Sequence, residues 1–400
     1  MIELNHTTNH GQPLAAVDAE MLGPAAADRV GRMLALLPSH RETALHSLPD
    51  LATSLGLGAL HIKDESTRLG LGSFKALGGA YAVVCLVLEE ASRQLGRTVT
   101  ARELLDPDIR AIAHKVTVGC ATDGNHGRSV AAGANLVGCT ASIFVHAGVS
   151  DERVAAIARF GANIIRVAGN YDDAVAEAER VCQAQGWIIV SDTSWPGYER
   201  IPRLVMQGYT AMVAEALARL PQPPTHVFLQ AGVGGFAASV AANLTMSLAV
   251  RPKFIVVEPD RAACLFESNR AGRAMKIEPS DPTVMAMLEC YEPSLLAWGI
   301  LSRVADAYMT VRDADAVEAM KRLARPGGRD PVVVAGESGA AGLAGLGAAA
   351  SSPAWREMIG LDAQSRVLLF NTEGATAPDI YQSLTGIDPA ELVPARSKSA

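Results

Sequence analysis

From about residue 111 onward, short β-branched runs alternate with alanine-rich stretches, and this alternation constrains the fold more than any other feature of the chain. Residues 116–118 lead into a small-residue helix over 127–138, and 141–145 read as the next strand. A helix over 151–160 follows, with Ser150 as its N-cap and Gly161 at its C-terminal end. Strand 164–167, helix 171–185 and strand 187–190 complete the run, which stops at Ser191-Asp192. A β-α-β-α-β series of this kind specifies a parallel sheet covered on both faces. A long helix over 202–220 then crosses to a second series: strand 225–229, helix 236–249, strand 254–257 and, near the C-terminus, strand 367–370. The expected class is therefore α/β, with two open, mostly parallel twisted sheets and helices on both faces of each. A chain of 400 residues, 49% of them hydrophobic, has enough apolar material for two packed domains.

Composition removes several classes of function. Lysine and arginine total 35 against 42 acidic residues, a net charge of −7, and no basic run is present, so a duplex-binding surface is not expected. Four Trp, seven Tyr and eight Phe are too few for single-strand stacking platforms. Six cysteines, at 85, 120, 139, 182, 264 and 290, form no CxxC pair, which argues against a zinc site or a disulfide scaffold. They read as thiols in a reducing compartment, with a bond between Cys264 and Cys290 left open. Residues 1–14 are polar, without the order of a secretory signal. The longest apolar run, 76–88, is shorter than the roughly 20 residues that span a bilayer. A soluble, cytoplasmic protein with no bound metal is expected.

Three segments carry chemistry. The loop 231–237 (Ala-Gly-Val-Gly-Gly-Phe-Ala) lies between a strand and a helix. Glycines there let backbone N–H groups approach an anion at the helix N-terminus, which marks a phosphate cradle formed by Gly232, Val233, Gly234 and Gly235. The same loop satisfies the dinucleotide fingerprint Gly232-x-Gly234-x-x-Ala237, with Glu258 ending the next strand where a ribose-binding carboxylate would sit. A nicotinamide or flavin reading is thus a rival from this loop alone. The second segment, 72–81, places Lys75 at the start of an otherwise apolar, glycine-rich helix. A desolvated amine there is suited to forming an imine. In the third, 122–128, Asn125 can donate a hydrogen bond to a phenolate-type oxygen, or the loop can simply be an Asx turn capping its helix.

Lys75, the Asn125-His126-Gly127 loop and the glycine loop occur in the order found in fold-type II pyridoxal-phosphate enzymes, which this chain resembles. Ser73-Phe74-Lys75, the segment 121–128 and Ser191-Asp192-Thr193-Ser194-Trp195 are similar to the diaminopropionate ammonia-lyases within that group. So are Gly197-Tyr198-Glu199-Arg200-Ile201-Pro202 and Met206-Gln207-Gly208-Tyr209, and the resemblance runs from about residue 40 to about 385. Asp123 and the Asp-Thr-Ser-Trp segment are its most specific parts. One departure is Ala377, where an acidic residue would follow Gly374-Ala375-Thr376.

The resemblance implies pyridoxal 5′-phosphate as cofactor, a homodimer, and a large cofactor-binding domain (1–83 and 206–400) interrupted by a small one (84–205). It implies that Lys75 holds the cofactor, that Gly232 to Gly235 bind its phosphate and Asn125 its ring oxygen, that Phe74 packs on the ring, and that Thr372 meets the pyridine nitrogen. A neutral pyridine suffices for elimination. The substrate would be 2,3-diaminopropionate, in both D and L forms, converted to pyruvate and two ammonia. Lys75 would act as base on one face of Cα and Asp123 on the other, with Asp192 binding the β-ammonium. The opposite assignment of the two aspartates stays open. Thr193, Ser194, Trp195 and Tyr198 would contribute to the substrate wall, and His126 would support its loop. Three other readings are a serine or threonine dehydratase of the same fold, a nicotinamide oxidoreductase built on the Gly232 loop, and a cofactor-binding sensor that has lost catalysis.

Overall fold

The computed structural model describes residues 1–37, 40–122 and 124–392. By spatial proximity the chain divides into two compact units, one of Met1–Ala19, Glu42–Thr67 and Met212–Ala400, the other of Glu20–Arg41 and Arg68–Ala211.

Eleven strands are formed among the described residues: β1 (Ile2–Leu4), β2 (Leu45–Ser47), β3 (Ala59–Asp64), β4 (Thr117–Ala121), β5 (Thr140–His146), β6 (Asn163–Val167), β7 (Ile188–Ile189), β8 (His226–Gln230), β9 (Lys253–Pro259), β10 (Ala307–Val311) and β11 (Arg366–Asn371). The first unit holds a seven-stranded sheet in the order β1-β10-β9-β8-β11-β3-β2. Its five inner strands are parallel and its two edges, β1 on β10 and β2 on β3, are antiparallel. Strands β8 and β10 are buried along their whole length, as expected where both faces of a parallel sheet are covered. The second unit holds a fully parallel four-stranded sheet, β6-β5-β4-β7. These are the two open, mostly parallel sheets anticipated above.

Local signals account for most of the helices that matter to function. Ser150 caps helix Asp151–Ala158 by accepting from the Arg153 N–H at 3.4 Å. Helix Tyr171–Gln185 begins with a reciprocal Asn170–Asp173 capping box and ends at Gly186 in the left-handed region (φ +66°). The long helix Lys75–Leu95 packs on helix Asn125–Val137 through small residues. A Cβ on Gly133 would lie 2.6 Å from the Cα of Ala80, so only glycine allows this approach. The Ser129 hydroxyl inserts into the first turns of the neighbouring helix, accepting from Ala80 N–H at 2.9 Å and donating to Ala76 O at 3.2 Å. This packing keeps residues 75–83 within the second unit.

Candidate active site

In the second unit, helix Lys75–Leu95 starts at the lysine itself, directly after the buried Ser73 and Phe74. A helix N-terminus disfavours a positive charge, so an ammonium in its first turn needs a compensating anion. Asp192 supplies one: the Lys75 amine donates to its Oδ2. Asp192 follows β7 in a bend whose shape is held by Tyr198. That hydroxyl donates to Ile189 O at 2.8 Å and accepts from Ser191 N–H at 3.0 Å. The rings of Trp195 and Tyr198 stack at 4.2 Å with 14° between planes, and Tyr198 N–H closes the turn onto Trp195 O at 2.9 Å. Thr193 N–H bonds the Ser191 hydroxyl at 3.3 Å, and Ser194 is buried. Tyr198 is thus an anchor of the loop that aims Asp192.

His126, in the first turn of helix Asn125–Val137, also approaches Asp192. Its Nε2 is 3.0 Å from Val190 O, and since a carbonyl only accepts, that nitrogen carries the proton. The Nδ1 lone pair therefore faces Asp192 Oδ2, 3.9 Å away. Burial lowers the imidazole below its usual range. Burial would also raise the Asp192 carboxyl, but His126, the Lys75 charge and the lysine's hydrogen bond outweigh it and hold Asp192 well below the usual carboxylate range. Lys75 and Asp192 accordingly form an ion pair beside the buried imidazole.

Phe74 and Asn125 are the other expected residues of this unit that the structure describes. Phe74 lies 5.7 Å below the Lys75 amine and packs on the Tyr209 ring at 4.7 Å. Asn125 accepts from Arg128 at 2.8 Å through its Oδ1, which turns its NH2 to the opposite side as a donor. Gly124 precedes it at φ +155°, a conformation open to glycine alone. Asp123 lies outside the described residues.

In the first unit the glycine loop follows β8 as expected, and helix Gly235–Ser247 starts from Gly234 in a left-handed conformation (φ +96°). The first N–H groups of that helix have no intrahelical acceptor. A Cβ at Gly232 would come within 2.8 Å of Cys290 Sγ. All six cysteines, Cys264 and Cys290 included, are free thiols. Glu258, the residue that would bind a ribose in the dinucleotide reading, caps helix Cys264–Ala271 instead. Its carboxyl accepts from Leu265 N–H at 2.8 Å and Phe266 N–H at 2.7 Å.

Residues 36–373 match the profile of the family described as pyridoxal-phosphate dependent enzyme. The chain is 38% identical over 359 residues to the diaminopropionate ammonia-lyase of Salmonella typhimurium, covering 87% of this chain and 89% of that protein. It is likewise 38% identical to the Escherichia coli diaminopropionate ammonia-lyase, covering 87% of this chain and 88% of that one. The chain belongs to the diaminopropionate ammonia-lyase family of pyridoxal-phosphate-dependent enzymes. The crystal structure of the Escherichia coli diaminopropionate ammonia lyase in complex with D-serine superposes with a TM-score of 0.86 at 34% identity, over 96% of both chains, so the two sheets are those of fold-type II.

The residues present fit the family's cofactor. Thr372, at the end of β11, is buried, and its Oγ1 accepts from Gln230 Nε2 at 3.0 Å. Gln230 is fixed as donor there because the same nitrogen faces the carbonyls of Phe370 (2.8 Å) and Gly339 (3.2 Å). The hydroxyl proton of Thr372 is therefore directed elsewhere, as a neutral ring nitrogen requires. With Glu258 committed to a helix cap, the dinucleotide reading loses its ribose ligand. Gln230, in the first unit, and Tyr209, in the second, were given no role from the sequence. The pointer to Tyr209 was Gly78, a glycine inside a helix with no turn to explain it. Among the described residues, no helix is long and apolar enough to cross a membrane.

Proposed function

We propose that this enzyme eliminates ammonia from 2,3-diaminopropionate, in both its D and L forms, and that one water hydrolyses the released product, giving pyruvate and two molecules of ammonia in all. The observation that carries this reading is the Lys75–Asp192 ion pair at the start of a buried helix. It joins the amine that would hold the cofactor to a carboxylate suited to a cationic side chain. Pyridoxal phosphate, when bound, supplies the electron sink that makes the Cα proton acidic. The backbone N–H groups of Gly232, Val233, Gly234 and Gly235 bind the phosphate, Asn125 donates to the ring oxygen, and Thr372 donates to the pyridine nitrogen. Lys75 would hold the cofactor, and its amine when free would take the proton from Cα on one face. Asp123 takes it on the other face, which lets one site serve both enantiomers. Asp192 orients the β-ammonium, which leaves as ammonia. Thr193, Ser194 and Trp195 line the substrate side of that loop.

The Escherichia coli relative was crystallised with D-serine, which gives a serine-eliminating reading its own footing. Absorption spectroscopy of the purified protein, before and after D- or L-2,3-diaminopropionate or serine, separates the two. A visible cofactor band that Lys75→Ala abolishes, perturbed as pyruvate accumulates from diaminopropionate and not from serine, is the expected result. A colourless protein that takes up no pyridoxal phosphate would refute the assignment. The reading also carries a cytoplasmic homodimer, which size-exclusion chromatography with light scattering tests for assembly.

A further inference from the structure

Tyr209 is 2% exposed, yet its hydroxyl has no hydrogen-bond partner among the described residues. Its ring tilts at 57° against Phe74, and a Cβ built on Gly78 would lie 2.5 Å from Tyr209 Cε1 and 2.8 Å from Cζ. The hydroxyl end of the ring therefore rests on the helix face three residues after Lys75, the same face as the lysine. Gly208 is kept small by the backbone of Leu77, which seats the tyrosine at that height. The hydroxyls of Tyr308 and Tyr381 also lack partners among the described residues. Tyr209 differs from both in that the charges of Lys75 and Asp192 reach it, while burial keeps its phenol neutral. A buried hydroxyl without a partner is costly unless something bound there completes it.

We infer that the Tyr209 hydroxyl is a specificity-determining group for the substrate's β-ammonium, acting beside Asp192. This rests on the diaminopropionate reading given above. The β-ammonium offers three N–H donors that point in different directions, so one carboxylate does not meet them all, and the phenol oxygen provides a further acceptor. When the C–N bond breaks, its electron pair goes to nitrogen and ammonia keeps its three hydrogens. Tyr209 neither gives nor takes a proton, and it binds rather than catalyses.

The test is Tyr209→Phe, assayed with 2,3-diaminopropionate and with 3-chloroalanine, whose chloride leaves without any N–H to be recognised. For diaminopropionate, kcat/KM should fall about 10- to 100-fold, mostly through KM, and for 3-chloroalanine by less than about threefold. The visible cofactor band and the melting temperature should match the parent enzyme. Equal losses on both substrates, or none on either, would overturn the inference. A parent enzyme that eliminates 3-chloroalanine but not diaminopropionate overturns the substrate reading instead.

Discussion

The amine of Lys75 is paired with the carboxylate of Asp192, a residue 117 positions further along the chain. The lysine starts a helix and the aspartate follows a two-residue strand, so each comes from an element whose end is exposed to the other. The pair places a cation where the helix dipole opposes it and offsets that cost locally.

Replacing Asp192 with Asn leaves Lys75 without its counter-charge, and kcat/KM should fall about 10- to 100-fold. The pH dependence of stability gives a second readout. Because the Asp192 carboxyl is depressed, the pair stabilises the fold above the ordinary aspartate range, about pH 4, and that contribution is lost as pH falls through the lower folded value. Urea midpoints between about pH 5 and pH 3 should decline less steeply for Asp192→Asn than for the parent. Parallel slopes would show that the pair does not titrate as described.

Thr372 Oγ1 accepts from Gln230 Nε2, which leaves its own proton free to be donated to another group. Thr372→Val should weaken pyridoxal phosphate uptake by the apoenzyme about 10-fold, the loss of roughly one good hydrogen bond, and Thr372→Ser should restore it. Titration followed by absorbance measures both. Undiminished uptake by the valine variant would remove Thr372 from the cofactor set.

Two helical glycines should respond in opposite directions to alanine. Gly133→Ala drives a Cβ into the backbone of Ala80, which cannot yield, and should destabilise by at least about 1–3 kcal/mol. Gly347, in helix Ala341–Ala350, has nothing within 4 Å of a built Cβ, so Gly347→Ala should stabilise by up to about 1 kcal/mol through helix propensity. Thermal denaturation of the two variants checks the contrast.

Much of the fold could be read from periodicity and capping. Helix Tyr171–Gln185 runs over the residues anticipated, and the strands of the four-stranded sheet fall within a few residues of their expected places. Strands β1, β2, β3 and β10 were not anticipated. The first two are three residues long and sit at antiparallel edges, too short to show a period. β3 is disguised by Lys63, a charge inside a central strand, which is tolerated because its amine donates to Glu215 at 2.6 Å and to Thr43 O at 2.9 Å. In the site, Lys75 and Asp192 were visible because their neighbours in sequence form motifs. Gln230 was not, since it acts on a residue more than a hundred positions away that gives no local signal, and Tyr209, though inside a motif, showed no role until its contact with the Gly78 helix face was seen.

The order of strands has a consequence for how the chain is made. Strands β4 to β7 occupy one continuous stretch, Thr117 to Ile189, and can pair as soon as that stretch leaves the ribosome. β3 must instead wait for β11, which lies some three hundred residues later and completes the larger sheet between β3 and β8. Contacts closed over such distances form slowly. During synthesis the four-stranded sheet can therefore take shape first, and the seven-stranded sheet is finished last.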